Sequence, residues 1–347
     1  MKTHVMEIQE GDRLRTDIFN QAGLHVLPKG TSIHKEEIAL LIRQNINYVD
    51  IEPREDELSL SGLNRQDFTN RLKENFERTV LGYQSIFLEA LTTGKFNQSM
   101  VEEKLQPMLE IIDSEKDVVS LLITFGENDT NLYTHSLQVG LLSYYIASWL
   151  GYTPAECYEI SKAGYLHDIG KSKLRQELRN HTGPFNEAQI DELKRHTRYG
   201  YEIIRDSMTD EVPALVALQH HEREDGSGYP QGLKKDEIHP YAQIVAVANT
   251  YVEMTSPDNA KGRLGLLTVL RKVYELGFGE LNERAVQALA RHLIPQFIGK
   301  QARLSNGETA TIVWNNPSDF FRPLVQVKDR FRDLAVERDI VVEDIFM

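Results

Sequence analysis

HHEREDGSGYP, residues 220–230, sets two adjacent imidazoles directly ahead of a glycine-rich turn. Neighbouring histidines can face one cation, and Gly226 and Gly228 let backbone come close to a ligand. Working outward, His135, the pair His167-Asp168 inside HDIGK, and His196 all lie on segments with helical periodicity. Thr153-Pro154-Ala155-Glu156 reads as a capping box with proline at the first helical position. The helix it opens carries Ile160, Ala163, Gly164 and His167 on one stripe. Asn186 with Gln189 opens the next, predicted as one helix with Leu193, His196, Gly200 and Ile203 on a shared face. Leu132, His135, Val139, Leu142 and Ile146 share another stripe, and after Pro213 the residues Val216 and His220 fall four apart. Pro240 starts a helix with Val245, Ala248, Asn249 and Val252 on one side.

A single histidine on an apolar helix face is ordinarily a hydrogen-bonded core residue. Five of them, one followed by Asp168, on successive buried stripes need a common partner. An unpaired buried polar group costs on the order of 1–3 kcal/mol. Neutral imidazoles around a bridging carboxylate suit a pair of divalent transition metals, the equipment of a metal-dependent phosphohydrolase. The remaining histidines (His4, His25, His34, His181, His239 and His292) have no such context. Lys171 reads equally as a helix C-terminal cation or as a phosphate contact. Gly228, Tyr229 and Pro230 could form a plain turn, but beside two ligands the turn is also suited to holding a nucleotide.

The chain has 347 residues, 41% hydrophobic and 26% charged, as expected of a folded globular protein. A net charge of -13 argues against an electrostatic grip on a nucleic acid polymer or an anionic membrane. One cysteine, Cys157, excludes an internal disulfide and suits a cytoplasmic setting. MKTHVMEIQEGD lacks a signal-peptide core, and the apolar run Val139–Leu150 is too short to cross a bilayer. Residues 1–55 read as a small β-rich accessory domain, with strand-like MEIQEGDRL, HVLPKGTSI and NYVDIE and a helical KEEIALLIRQN. Residues 56–117 read as a helical connector and 118–297 as the helical catalytic-type domain. Residues 298–347 return to strands: ARLSNGETATIVWNN forms a hairpin at Asn306-Gly307, followed by PLVQV and IVVEDI. The expected class is mainly α, an all-helical domain flanked by small β-rich units.

In this order, His135, HDIGK, His196 and HHEREDGSGYP resemble the HD-GYP family, a branch of the HD phosphohydrolases. The resemblance covers roughly residues 129–256. It implies hydrolysis of cyclic di-GMP to pGpG, in some members on to GMP, with bound iron or manganese. By position, His135, His167 and Asp168 would hold one metal, and His196, His220 and His221 the second, with Asp168 bridging. Asp129 would serve the hydrolytic water or leaving group, and Lys171 the scissile phosphate. Gly228, Tyr229 and Pro230 would sit in the substrate-contacting loop.

The departures are specific. The family's VADVYDALTS is VANTYVEMTS here, so the closing ligand of the first metal becomes Asn249, a neutral and weaker donor. Asn131 stands where members with three metals carry Glu, which implies at most two. Pro257-Asp258-Asn259 replaces an arginine-bearing segment, leaving Lys261 or Arg263 to supply the cation. Two function classes follow: a two-metal cyclic di-GMP phosphodiesterase, or a degenerate module that binds the dinucleotide or a signalling partner without efficient turnover. The expected partners are cyclic di-GMP and, for protein contacts, a second copy or a diguanylate cyclase.

Overall fold

Capping side chains and prolines fix where the helices begin, and those beginnings decide where the histidines end up. The computed structural model describes residues 2–4, 8, 11–19, 25–44, 46, 48–52, 55–113, 118–119, 121, 131–179, 185–256, 265–316 and 319–346. It divides into two units, Met1–Lys73 and Glu74–Met347, the boundary falling inside one long helix. In the first unit β1 (Lys2–His4) pairs antiparallel with β4 (Tyr48–Asp50), and β2 (Ile18–Phe19) with β3 (His25–Leu27). Helix α1 (Lys35–Arg43) completes it over a core of Leu14, Ile18, Leu27, Ile33, Leu41, Val49 and Ile51. Of the strand expected over residues 6–14, Arg13 and Leu14 form single bridges to Ser32 and Ile51.

The second unit is built of helices with one terminal sheet. After α2 (Glu55–Thr93) and α3 (Gln98–Ile112) comes α4 (Leu132–Trp149), buried on every side from Ser136 to Ala147. A helix apolar all round belongs in the middle of a bundle. Thr153 caps α5 (Pro154–Leu166) through the reciprocal bonds with Glu156, and α4 packs along α5. A 3₁₀ turn (Ile169–Lys173) and the short α6 (Gln176–Arg179) follow. Then come α7 (Glu187–Lys194), α8 (His196–Ser207) and α9 (Val212–Gln219). Helices α10 (Pro240–Thr255), α11 (Leu266–Leu276) and α12 (Glu283–Leu293) finish the bundle, with α10 against α4. Strands β5 (Gln301–Leu304), β6 (Thr309–Trp314), β7 (Leu324–Val327), β8 (Arg330–Asp333) and β9 (Val342–Phe346) form an antiparallel sheet in the order β8-β7-β6-β5-β9. Strand β9 lies against α11, where the Thr268 hydroxyl donates to the Val342 carbonyl at 3.4 Å.

One expectation needs correction. The single helix predicted through Leu193 and His196 is two helices, α7 and α8, meeting at Arg195. The His196 ring donates to the Leu193 carbonyl at 2.6 Å, and the Thr197 hydroxyl donates to the Lys194 carbonyl at 2.9 Å. These side chains occupy carbonyls that a continuous helix would use for backbone bonds.

The turn after His167-Asp168 presses on α8 at Gly170, where a Cβ would collide with the His196 carbonyl and the Gly200 backbone. Backbone cannot yield as a flexible side chain does. Gly170→Ala is therefore expected to destabilise the fold by about 1–3 kcal/mol or more, read as a lower midpoint in denaturant unfolding with an unchanged slope.

Candidate metal centre

The histidine-bearing segments deliver their ligands at helix ends. His135 lies in the first turn of α4, His167 and Asp168 follow α5, His196 opens α8, and His220 and His221 follow α9. His167, His220, Asp168 and His196 are 0–1% exposed, whereas His135 and His221 are partly open to solvent. Asp168 is shared between two groups. Its Oδ2 is 3.3 Å from His167 Nε2 and 3.9 Å from His135 Nε2, and its Oδ1 is 3.3 Å from His196 Nε2 and 3.9 Å from His220 Nε2. Two sets of convergent donor atoms result: His135, His167 and Asp168; and His196, His220 and His221.

The tautomers follow from the backbone. A carbonyl only accepts, so Nδ1 carries the proton in His167 (to Gly164, 2.6 Å), His196 (to Leu193, 2.6 Å) and His220 (to Ala217, 2.9 Å). In each neutral ring Nε2 is then a bare lone pair. His196 Nε2 and His220 Nε2 face one another at 3.3 Å, two acceptors with no proton between them. His167 Nε2 and Asp168 Oδ1 are likewise buried without a hydrogen-bond partner. A cation resolves all of these. Ligands about 2.0–2.2 Å from one ion stand roughly 3.0–3.5 Å apart in octahedral or tetrahedral arrangements. The observed 3.3 Å spacings match such edges, and His135 Nε2 lies at hydrogen-bond distance, 2.9 Å, from Asn249 Oδ1. The donor set fits divalent metals.

Burial keeps the rings neutral. It lowers His135 to about 3, helped by His167, and His196 to about 4 against the opposing pull of Asp168. His220 and His221 are held well below the usual imidazole range by burial and by the neighbouring rings. Burial alone would raise the Asp168 carboxyl, but Lys171, His167 and His196 together hold it well below the usual carboxylate range. Lys171 Nζ donates to Asp168 Oδ2 at 2.6 Å, so its first partner is the bridging carboxylate. Asp129 and Lys261, expected to serve catalysis and substrate, lie outside the described residues, as does Arg263. Asn131 Oδ1 accepts from the Tyr133 and Thr134 backbone amides and caps α4.

The loop after His221 is held by a residue that sequence reading passed over. Glu222 is buried, and its two oxygens accept from the Gln231 and Leu233 amides at 2.8 and 2.9 Å. Gly228 is obligatory here, because a Cβ would strike the Glu222 and Arg223 backbone. Tyr229 stacks on His221 with ring centres 4.6 Å apart and 19° between planes, and its amide donates to the His221 carbonyl. The signal for Glu222 was present in HHE, but an acidic residue in a polar loop does not announce burial.

Residues 122–266 match the HD domain family. The cyclic di-GMP phosphodiesterase response regulator RpfG of Xanthomonas campestris pv. campestris is 32% identical over 200 residues, 56% of this chain and 52% of that protein. A cyclic di-GMP phosphodiesterase of Thermotoga maritima is 31% identical over 212 residues, 60% of this chain and 57% of that one. The chain thus spans a little over half the length of these relatives. In fold it is similar to Bd1817, an HDG"Y"P protein from Bdellovibrio bacteriovorus, with a TM-score of 0.54, 17% identity, and coverage of 84% of this chain and 99% of that one. Over residues 122–266 the helical region is thus similar to HD domains.

Two outcomes follow. Unfolded imidazoles take up protons below their ordinary 6.5, whereas His135 and His196 stay neutral down to about 3 and 4. Metal-stripped protein should therefore lose several kcal/mol of stability, as an order of magnitude, between about pH 7 and about pH 4.5, measured by denaturant titration. Asp168 acts lower, its contribution present above 3.8 and lost only as pH falls through its depressed folded value. Separately, Glu222→Gln should cost about 1.5–3 kcal/mol, because one amide donor meets an NH₂ group in place of a carboxylate oxygen.

Proposed function

We propose that this chain is a two-metal phosphodiesterase that hydrolyses cyclic di-GMP to the linear pGpG, with iron or manganese as the metal. The observation that carries the reading is Asp168, one buried carboxylate whose two oxygens are divided between two imidazole groups. The names of the two curated relatives favour this substrate. His135, His167 and Asp168 would hold one ion and His196, His220 and His221 the other, with Asn249 beside the first. A divalent pair supplies Lewis acidity and lowers the pKa of water in its reach.

The chain's own residues do the rest. The Nδ1 bonds to Gly164, Leu193 and Ala217 fix each ring so that no reorientation is needed during reaction. Asp168 stays ionised and brings negative charge between the two groups, and Lys171 offsets part of it. As a substrate phosphate approaches, the Lys171 ammonium is the described cation nearest to the bridging carboxylate. Asp129 is assigned to the hydrolytic water or leaving group, and Gly228, Tyr229 and Pro230, with Lys261, to the dinucleotide. No described helix is long and apolar enough to cross a membrane, which accords with a cytoplasmic setting. Asn131, spent as a helix cap, supports two ions rather than three.

A second reading is favoured by Asn249. A neutral amide paired with His135 weakens one ion site, and the domain would then bind the dinucleotide without efficient turnover. Anaerobically purified protein should contain about two transition-metal ions per chain and linearise cyclic di-GMP, and His167→Ala should abolish turnover. Metal-replete protein inert toward the dinucleotide would favour the binding module. Asn249→Asp should raise metal retention by about tenfold or more against a competing chelator.

A further inference from the structure

Two cations beside the histidine cluster form no ion pair with any described residue. Lys194, exposed at the end of α7, holds its ammonium 5.4 Å from the centre of the Tyr229 ring, the ring that stacks on His221. Arg223, two residues past His221, donates from Nη1 to the Glu222 carbonyl at 3.0 Å and from Nη2 to the Thr250 hydroxyl at 3.4 Å. Thr250 is the neighbour of Asn249 on α10. Two of the five guanidinium N–H groups are thus committed, and both acceptors are neutral. Lys171, by contrast, is taken up by Asp168.

The chemistry gives such a pair a use. A cyclic dinucleotide carries two phosphodiesters, and a dinuclear centre serves the one being cleaved. Protein cations beside the centre are suited to hold the other, in a chain whose net charge of -13 otherwise repels it. We propose that Arg223 and Lys194 grip the non-reacting phosphodiester and thereby select a two-phosphate ring over a single diester. The assignment rests on the phosphodiesterase reading above. Arg223 offers a planar fork in the segment after His221, and Lys194 a mobile point charge over the Tyr229 ring.

The test compares cyclic di-GMP with bis(p-nitrophenyl) phosphate, a single diester, on metal-loaded full-length protein. Arg223→Gln and Lys194→Gln should each raise KM for cyclic di-GMP by about tenfold, with kcat changed far less. Preference for the dinucleotide over the single diester should fall by a similar factor. Equilibrium binding of cyclic di-GMP to chelator-treated protein should weaken in parallel. Thr250→Val removes the hydroxyl anchor and leaves the charge, so it separates loop support from phosphate contact. Equal losses on both substrates, or Thr250→Val reproducing Arg223→Gln, would overturn the assignment. Wild-type protein that cleaves both diesters while the two variants keep their KM overturns it and leaves the metal reading intact. Wild type inactive on both diesters removes the underlying reading itself.

Discussion

Asp168 is the constraint around which the helical unit is arranged. A carboxylate withdrawn from water carries a penalty of several kcal/mol unless positive charge reaches it. One ammonium, from Lys171, does so at 2.6 Å, yet Oδ1 remains without a hydrogen bond while two imidazole nitrogens point at it. Those nitrogens carry lone pairs, because the proton of each neutral ring sits on Nδ1, which donates to a carbonyl. Negative and electron-rich atoms therefore crowd one buried space. Such a cluster is coherent only around cations, and the bundle is the frame that tolerates it.

The frame uses one local device three times. His167, His196 and His220 each donate from Nδ1 to the carbonyl three residues earlier: Gly164, Leu193 and Ala217. Carbonyls at the end of a helix lack backbone partners, so each ring is oriented by a group its own segment leaves free. The device explains why the ligands gather at helix termini and why α7 and α8 are separate. It also requires termini to approach closely, which Gly170 permits against α8. Glu222 supplies the last fastening by drawing the Gln231 and Leu233 amides onto one buried carboxylate.

Much of this was legible from residue order. The capping box at Thr153, the proline starts and the periodic stripes located the helices, and the Asn306-Gly307 turn located the β5–β6 hairpin. The metal-type residues were legible because their number on buried faces has no cheaper explanation. Strand β8 was missed, since RFRD is too polar to read as a strand without its partner β7. The break at Arg195 was missed because periodicity cannot see a side chain capturing a carbonyl. Lys171 was read as a phosphate contact from position, while its engagement with Asp168 depends on a turn whose geometry no spacing encodes. Glu222 and Arg223 passed unnoticed for the same reason: their roles are three-dimensional.

The uneven exposure of the ligands gives the cluster a back and a front. His167, His196, His220 and Asp168 form the sealed rear, and His135, His221 and Lys171 border the side that water touches. Among the described residues, whatever reaches the cluster from water meets those three side chains first, and the sealed imidazoles stand behind them.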